Sequence, residues 1–76
     1  MSLDQMKLDE SALILKVGGS SSMKRRLLDL GFLPGALVTC VLISPFHDPK
    51  AYLINGSVIA LRKCDAKEIE VLYEKD

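Results

Sequence analysis

A chain of 76 residues has room for one domain, so we expect a single domain over residues 1–76 with a thin hydrophobic core. Ten Lys and Arg residues balance ten Asp and Glu residues, and the formal net charge is zero. This balance argues against a dedicated nucleic-acid binder, because such proteins present a basic face from which counterion release supplies much of the affinity.

The two cysteines, Cys40 and Cys64, lie far apart in the chain and match no C-x-x-C metal or redox motif. A disulfide between them is one interpretation, but the absence of a signal peptide favours reduced thiols in the cytoplasm. No apolar run approaches the roughly 20 residues that a membrane-spanning helix needs. We therefore expect a soluble cytoplasmic protein that does not insert into the membrane.

The first predicted elements are a turn and a strand. Leu3, Met6 and Leu8 recur within the first ten residues, which predicts a turn that packs these side chains against the body of the protein. Ser11 to Val17 is compatible with a β-strand and is followed by Gly18-Gly19, which favours a turn.

The stretch from Ser20 to Gly35 contains the predicted helix. Three serines at its start offer an N-cap, and Met23, Leu27 and Leu30 recur at helical spacing. Gly31 is suited to the left-handed conformation of a C-terminal cap. We expect a short helix whose leucines, together with the following Phe32, close the core.

The next elements are a strand and a hairpin. Ala36 to Ser44 is rich in β-branched residues and predicts a strand, after which a loop with a proline near each end carries His47 and Asp48. Ala51–Ile54 and Ser57–Leu61 flank Asn55-Gly56, a strong signal for a type I′ turn. The chain therefore reverses tightly at this dipeptide.

That turn sets the register of the hairpin, with Leu53 opposite Val58 and Tyr52 opposite Ile59. The bulkier face is the predicted core side and carries Tyr52, Ile54, Ile59 and Leu61. The second face is also apolar and carries Ala51, Leu53, Val58 and Ala60.

The last elements are a single helical turn and a closing strand. Arg62 to Lys67 fits the turn, with Asp65 as its expected cap. The strand follows, in which Ile69, Val71 and Tyr73 alternate with Glu68, Glu70 and Leu72, a pattern typical of one buried face. The pattern predicts a mainly β fold, a small, partly open antiparallel barrel with one short α-helix inserted after the first strand.

Few residues suggest chemistry. His47 beside Asp48 is a candidate metal ligand or half of an acid–base pair. The favoured interpretation is simpler: both are solvated residues of an exposed loop. Cys40 and Cys64 are candidates to join His47 in a soft-metal site, although Cys40 fits a small buried hydrophobe and Cys64 an incidental thiol. No catalytic motif is present, so we expect no enzyme activity, no resident metal and no cofactor.

The local run of positive charge, Lys24, Arg25 and Arg26, lies on the predicted helix. Its possible contacts are phosphate, an acidic protein or lipid headgroups, and the simpler alternative is a solvated face.

The order of these motifs resembles a known family over nearly the whole chain. The matching positions are Leu3, Met6, Leu8, Arg26-Leu27-Leu28-Asp29-Leu30-Gly31-Phe32, Pro34-Gly35, Val38, Asp48-Pro49, Gly56, Ala60-Leu61-Arg62-Lys63, Ala66 and Ile69. In this order and spacing they resemble the FeoA family of ferrous iron transport proteins.

The resemblance implies an SH3-like barrel with an inserted helix. It also implies a small cytoplasmic protein that works with FeoB, the large membrane iron transporter that carries a GTPase domain. Similar domains form the C-terminal domain of metal-dependent repressors of the diphtheria-toxin-repressor type. Because no winged-helix DNA-binding region precedes the domain here, we expect the free-standing transport accessory protein instead. Asp9 stands where the family usually has a turn glycine, and Leu42 where a polar residue is more common.

Our leading interpretation is an adaptor or regulator that binds a FeoB-type transporter, with self-association as a further expectation. The predicted contacts are Leu42, Leu53 and Val58 on the outer hairpin face and the helical run Lys24, Arg25 and Arg26. The alternative is a stand-alone domain that binds or senses a transition metal through His47, Asp48 or a cysteine.

Overall fold

The computed structural model describes residues 1–73, so the last three residues of the predicted 1–76 domain lie outside the described part. The elements in chain order are a 3₁₀ turn (Leu3–Gln5), β1 (Ser11–Val17), α1 (Ser21–Asp29), β2 (Leu37–Ile43), β3 (Lys50–Ile54), β4 (Ser57–Leu61), α2 (Lys63–Ala66) and β5 (Ile69–Tyr73). The predicted strands are all present, with bounds that shift by at most one residue.

The strands form one antiparallel sheet in the order β4-β3-β2-β1-β5. The register shifts between Ile14 and Lys16 in β1 and between Cys40 and Leu42 in β2. Such irregularities bend and twist a strand, which helps the sheet to curl around its core. Within residues 1–73 the two edge strands do not pair with each other, so the predicted partly open, mainly β barrel with one inserted helix is confirmed.

Both ends of α1 follow from the sequence. The Ser20 hydroxyl accepts a hydrogen bond from the Met23 amide at 3.3 Å and caps the N-terminus. At the C-terminus Gly31 has φ of 110°, the Gly31 amide donates to Leu28 O, and the Phe32 amide donates to Leu27 O. These two bonds define a Schellman motif, which favours glycine at the left-handed position.

The inward side of α1 differs in one position from the prediction. Leu27 and Phe32 are fully buried, as expected, but Leu30 is 39% exposed. The chain leaves the helix at Leu30, and the Schellman turn places Phe32 in the core instead. Leu28 and Met23 complete the packed side of the helix as partly buried residues.

Only part of the N-terminal segment packs into the hydrophobic core. Leu3 and Met6 are fully buried, whereas Leu8 is 51% exposed, so the prediction for Leu8 was wrong. Leu8 precedes Asp9, which has φ of 68° and whose amide donates to Cys40 O at 2.7 Å. The turn therefore keeps the left-handed conformation that glycine favours, and aspartate is one of the few other residues that adopts it readily.

The short helix α2 also departs from the prediction. Its N-cap residue is Arg62, so the expected capping role of Asp65 was wrong. Asp65 lies inside α2 with its side chain only 10% exposed and accepts a hydrogen bond from Arg26. A buried carboxylate needs such a partner, because removing its charge from water is costly.

Candidate protein-docking surface

The β3–β4 hairpin positions two of the predicted contact residues. Asn55 and Gly56 both have positive φ, at 50° and 78°, as a type I′ turn requires. The observed register places Leu53 opposite Val58, as predicted. Leu53 is 39% exposed and Val58 63% exposed, while Tyr52 on the other face is fully buried.

Leu42 reaches the same face because of the irregularity in β2. Cys40 pairs with Tyr52 on the core side, and after the register shift Leu42 pairs with Ala51. Ala51 and Leu53 are two residues apart on β3 and so share a face. Leu42 is 62% exposed, and with Leu53 and Val58 it defines what we call the outer face.

The outer face continues across the sheet. Leu37 pairs with Leu13, and Leu13 pairs with Leu72 on its other side, so three leucines form one row across β2, β1 and β5. Leu37 and Leu72 are exposed, and Leu13 is half-buried between them. Sequence reasoning missed this row: the alternation within β5 marked Leu72 as an outward position, but β1 is an almost continuous apolar run that does not distinguish Leu13 from its buried neighbours.

The outer face is not uniformly apolar. Thr39 pairs with both Leu53 and Ser11, and the Thr39 and Ser11 hydroxyls are hydrogen-bonded at 2.8 Å. This polar pair separates the hairpin residues from much of the leucine row. An apolar surface interrupted by satisfied polar groups is typical of protein interfaces.

The predicted basic run lies on the exposed side of α1. Lys24, Arg25 and Arg26 are all exposed, as expected. Within residues 1–73 the one ion pair joins Arg26 Nη2 to Asp65 Oδ2 at 3.1 Å. Arg26 is therefore held by the fold, and Lys24 and Arg25 are the cations of this run that remain directed to solvent.

The loop that carries His47 and Asp48 borders a small cavity of ≈ 90 Å³. Its lining residues are Asp4, His47, Asp48, Lys50, Tyr52, Leu61 and Lys63. Asp48 Oδ1 accepts a hydrogen bond from the Lys63 amide at 2.9 Å, and Lys50 Nζ donates to the carbonyl oxygens of Asp4 and Met6. Two lysines beside the acids make this a mixed-charge pocket.

The structure does not bring the predicted metal candidates together. Within residues 1–73 no three His, Cys, Asp or Glu side chains converge in a geometry that holds a metal ion. Both cysteines are free: Cys40 is fully buried, and burial raises the pKa of its thiol, while Cys64 is exposed on α2. The expectation that Cys40 is a small buried hydrophobe is confirmed.

Comparison with known proteins gives a consistent result. The family model described as "FeoA domain" matches residues 1–72. Over 71 residues the chain is 35% identical to the Fe(2+) transport protein A/Fe(2+) transporter FeoB fusion protein of Porphyromonas gingivalis, an alignment that covers 93% of this chain and 8% of that protein. The chain thus spans a small part of this relative.

Solved structures of related proteins share the fold. Iron(II) transport protein A from Clostridium thermocellum superimposes with a TM-score of 0.91 at 32% identity, covering 96% of this chain and 45% of that one. FeoA from Stenotrophomonas maltophilia, described as an SH3 domain protein complexed with zinc, gives 0.84 at 31% identity and covers 93% and 88%. The barrel of this chain is therefore SH3-like. In the described residues no helix has the length and apolar character required to cross a membrane.

Proposed function

The chain belongs to the FeoA family, and from that premise we propose that it is a cytoplasmic accessory protein that binds a FeoB-type ferrous iron transporter through its outer face. In this role it is an adaptor or regulator of transport and catalyses no reaction itself. Self-association, the second interaction predicted from the sequence, is a separate property and is not required for this one.

The observation that carries the proposal is the fusion in Porphyromonas gingivalis. There a related sequence belongs to one protein named for both the transport protein and the transporter. A covalent link makes the encounter between two modules intramolecular and raises their effective concentration. Fusion of the two modules therefore supports a functional contact between them.

The outer face has the chemistry for that contact. Leu42 and Val58 are each more than 60% exposed, and Leu53 lies beside Val58 across the hairpin. Fully burying one such aliphatic side chain is worth about 1.5–3 kcal/mol, so a few of them suffice for the centre of a specific interface. Adjacent hydrogen-bonded strands β2, β3 and β4 hold these three side chains, so binding requires little ordering of the backbone.

The cations Lys24 and Arg25 fit a supporting role. Exposed charges accelerate association with a surface of opposite sign more than they tighten the complex. An acidic part of the transporter and an anionic membrane surface are both suitable targets. We therefore expect the basic run to affect the rate of binding and its salt dependence.

The test is binding of the full chain to the intact transporter in nanodiscs. The double variant Leu42→Glu, Leu53→Glu should stay folded and bind at least about tenfold more weakly, because each change buries a carboxylate in the interface. Leu8→Glu is the matched control, since Leu8 is also an exposed leucine but lies in the N-terminal turn. Equal binding by the wild type and the double variant would reject the outer face.

A second candidate function is transition-metal binding near His47. The observation in its favour is that His47, Asp48 and Asp4 border one cavity, and a related FeoA from Stenotrophomonas maltophilia was solved with zinc. The lysines at the same cavity oppose cation binding electrostatically. Calorimetry with ferrous iron and with zinc decides: stoichiometric binding that is lost in His47→Ala would favour this function over the adaptor role.

A further inference from the structure

The strand β4 lies at an edge of the sheet, and its outer side is unpaired among the described residues. Ser57–Leu61 pairs with β3 on one side, and among residues 1–73 its backbone makes no hydrogen bond to any other segment. The strand contains no charged residue and no proline. Soluble proteins usually protect an edge with charges, prolines or a covering segment, since unpaired strand edges recruit other strands.

The opposite edge of the same sheet is covered. The Val71 amide of β5 donates to Met1 O at 2.7 Å, and the Met1 amino group donates to Val71 O at 3.2 Å. Ser2 forms a further bridge with Glu70. The N-terminal residues thus shield β5, and β4 is the edge that the fold leaves open.

The turn geometry tells which groups of β4 face outward. In a hairpin with a two-residue turn, the residues that flank the turn, here Ile54 and Ser57, form a hydrogen-bonded pair, and such pairs alternate along the ladder. Ser57, Ile59 and Leu61 therefore direct their backbone groups to β3. The N–H and C=O groups of Val58 and Ala60 point to the open side.

These outward groups are arranged symmetrically about Ile59. We propose that β4 pairs with β4 of a second copy of this chain, antiparallel and about a two-fold axis through Ile59. Val58 of each copy then lies opposite Ala60 of the other, and both of these are doubly hydrogen-bonded pairs. The two five-stranded sheets become one continuous sheet.

The charge pattern favours a second copy as the occupant. A two-fold axis through Ile59 brings the two copies of each β4 residue near one another, so any charge on this strand would lie close to an equal charge, and β4 carries none. The chain as a whole has no formal net charge, which removes long-range repulsion between copies. Pairing also brings the Val58 side chain, which is 63% exposed in the single chain, beside Ala60 of the other copy on the same face of the sheet.

The test combines sedimentation equilibrium with hydrogen exchange on the full chain. The interface is a small one, so we expect a wild-type dimer with Kd of about 100 μM or tighter. Val58→Lys should weaken it several-fold, because the two lysines would be diagonal neighbours on the same face near the axis and would repel each other. Ala60→Pro should do the same because it removes an outward N–H while the bonds to β3 stay intact.

Leu72→Lys is the matched control. Leu72 is an exposed apolar residue of the outer face on the covered edge strand β5, so this variant should dimerise like the wild type. Thermal unfolding checks that each variant is folded. In exchange measurements, the Val58 and Ala60 amides should slow with rising concentration, whereas the Ile59 amide, which bonds to β3, is protected at every concentration.

Three results overturn the proposal. The first is a wild-type monomer at about 1 mM, well above the expected Kd. The second is a dimer that both edge variants preserve, or that only Leu72→Lys weakens. The third is protection of the Val58 and Ala60 amides that appears only when the transporter is added, which would assign the edge of β4 to that partner. The first two results would leave the proposed adaptor role intact.

Discussion

Arg26 Nη2 lies 3.1 Å from Asp65 Oδ2, and this contact ties α1 to α2 across 39 residues of sequence. The Asp65 side chain is 10% exposed and the Arg26 side chain 57% exposed. The bond to Arg26 therefore offsets much of the free-energy cost of removing the Asp65 carboxylate from water, while the Arg26 guanidinium is mostly hydrated. One member of the basic run serves the fold, which separates its role from that of Lys24 and Arg25.

Reversing these charges one at a time should separate the cation that stabilises the fold from the two that are directed to solvent. Arg26→Glu places a second carboxylate beside Asp65 and should lower the free energy of unfolding by about 1–2 kcal/mol, a range reduced for the exposure of Arg26. Lys24→Glu and Arg25→Glu should stay within about 0.5 kcal/mol of the wild type. Urea unfolding measures all three, and equal stability would show that the ion pair contributes nothing.

The two glycines that flank the apolar turn after α1 offer a matched pair of substitutions. Gly31 has φ of 110° and Gly35 has φ of 89°, so alanine is strained at both. At Gly31 a Cβ would also lie 3.0 Å from Asn55 Nδ2, whereas at Gly35 it meets nothing within 4 Å.

Gly35→Ala should therefore cost about 1 kcal/mol of strain alone, and Gly31→Ala about 1–2 kcal/mol or more. Thermal or urea unfolding gives the difference between the two variants, which combines the contact with Asn55 and the larger φ of Gly31. A larger loss at Gly35 than at Gly31 would contradict this account.

Much of the fold was predictable because its signals are local. Asn55-Gly56 specifies its own turn type, and the turn then sets the register of β3 and β4. Ser20 and Gly31 likewise mark the ends of α1 through bonds to residues within one turn. The errors at Leu30 and Leu8 fall where the chain turns away from a regular element, and there periodicity no longer reports which side is inside.

The candidate surface was predictable only in part. Leu53 and Val58 follow from the hairpin register, but the place of Leu42 on the same face depends on a register shift that no local pattern announces. The leucine row needs β1 to pair with β2 and β5 at once, which is a property of the complete sheet. The partner of Arg26 is likewise set by the tertiary fold.

The two cysteines should differ sharply in reactivity. Cys40 is fully buried with the pKa of its thiol raised by burial, and Cys64 is exposed. Because the thiolate is the reactive form, a thiol reagent should label one cysteine per native chain promptly and the second only as the chain unfolds. Cys64→Ser should abolish the prompt reaction, and prompt labelling of both thiols in the wild type would contradict the packing of Cys40.

The hydrogen bond between Tyr73 and Glu10 should make stability depend on pH. The Tyr73 hydroxyl donates to Glu10 Oε1 at 2.6 Å, and the Lys7 amide donates to the same oxygen at 2.7 Å. These bonds favour the carboxylate and lower the pKa of Glu10, while burial and the bond to Glu10 raise the pKa of Tyr73 to about 12. A group whose pKa is lowered by folding stabilises the protein above its unfolded pKa and loses that effect as the pH falls through the folded pKa.

Tyr73→Phe should therefore move the pKa of Glu10 back towards its ordinary value and reduce stability at neutral pH. The deficit should shrink at an acid pH below the lowered pKa of Glu10, where this carboxyl is protonated in both proteins. Carboxyl NMR titration and urea unfolding at the two pH values measure these effects. Tyr52→Phe is the control, because the Tyr52 hydroxyl donates to Leu3 O, an acceptor that does not titrate. Its loss of stability should be the same at both pH values, and an equally constant deficit for Tyr73→Phe would show that the Glu10 bond contributes no pH dependence.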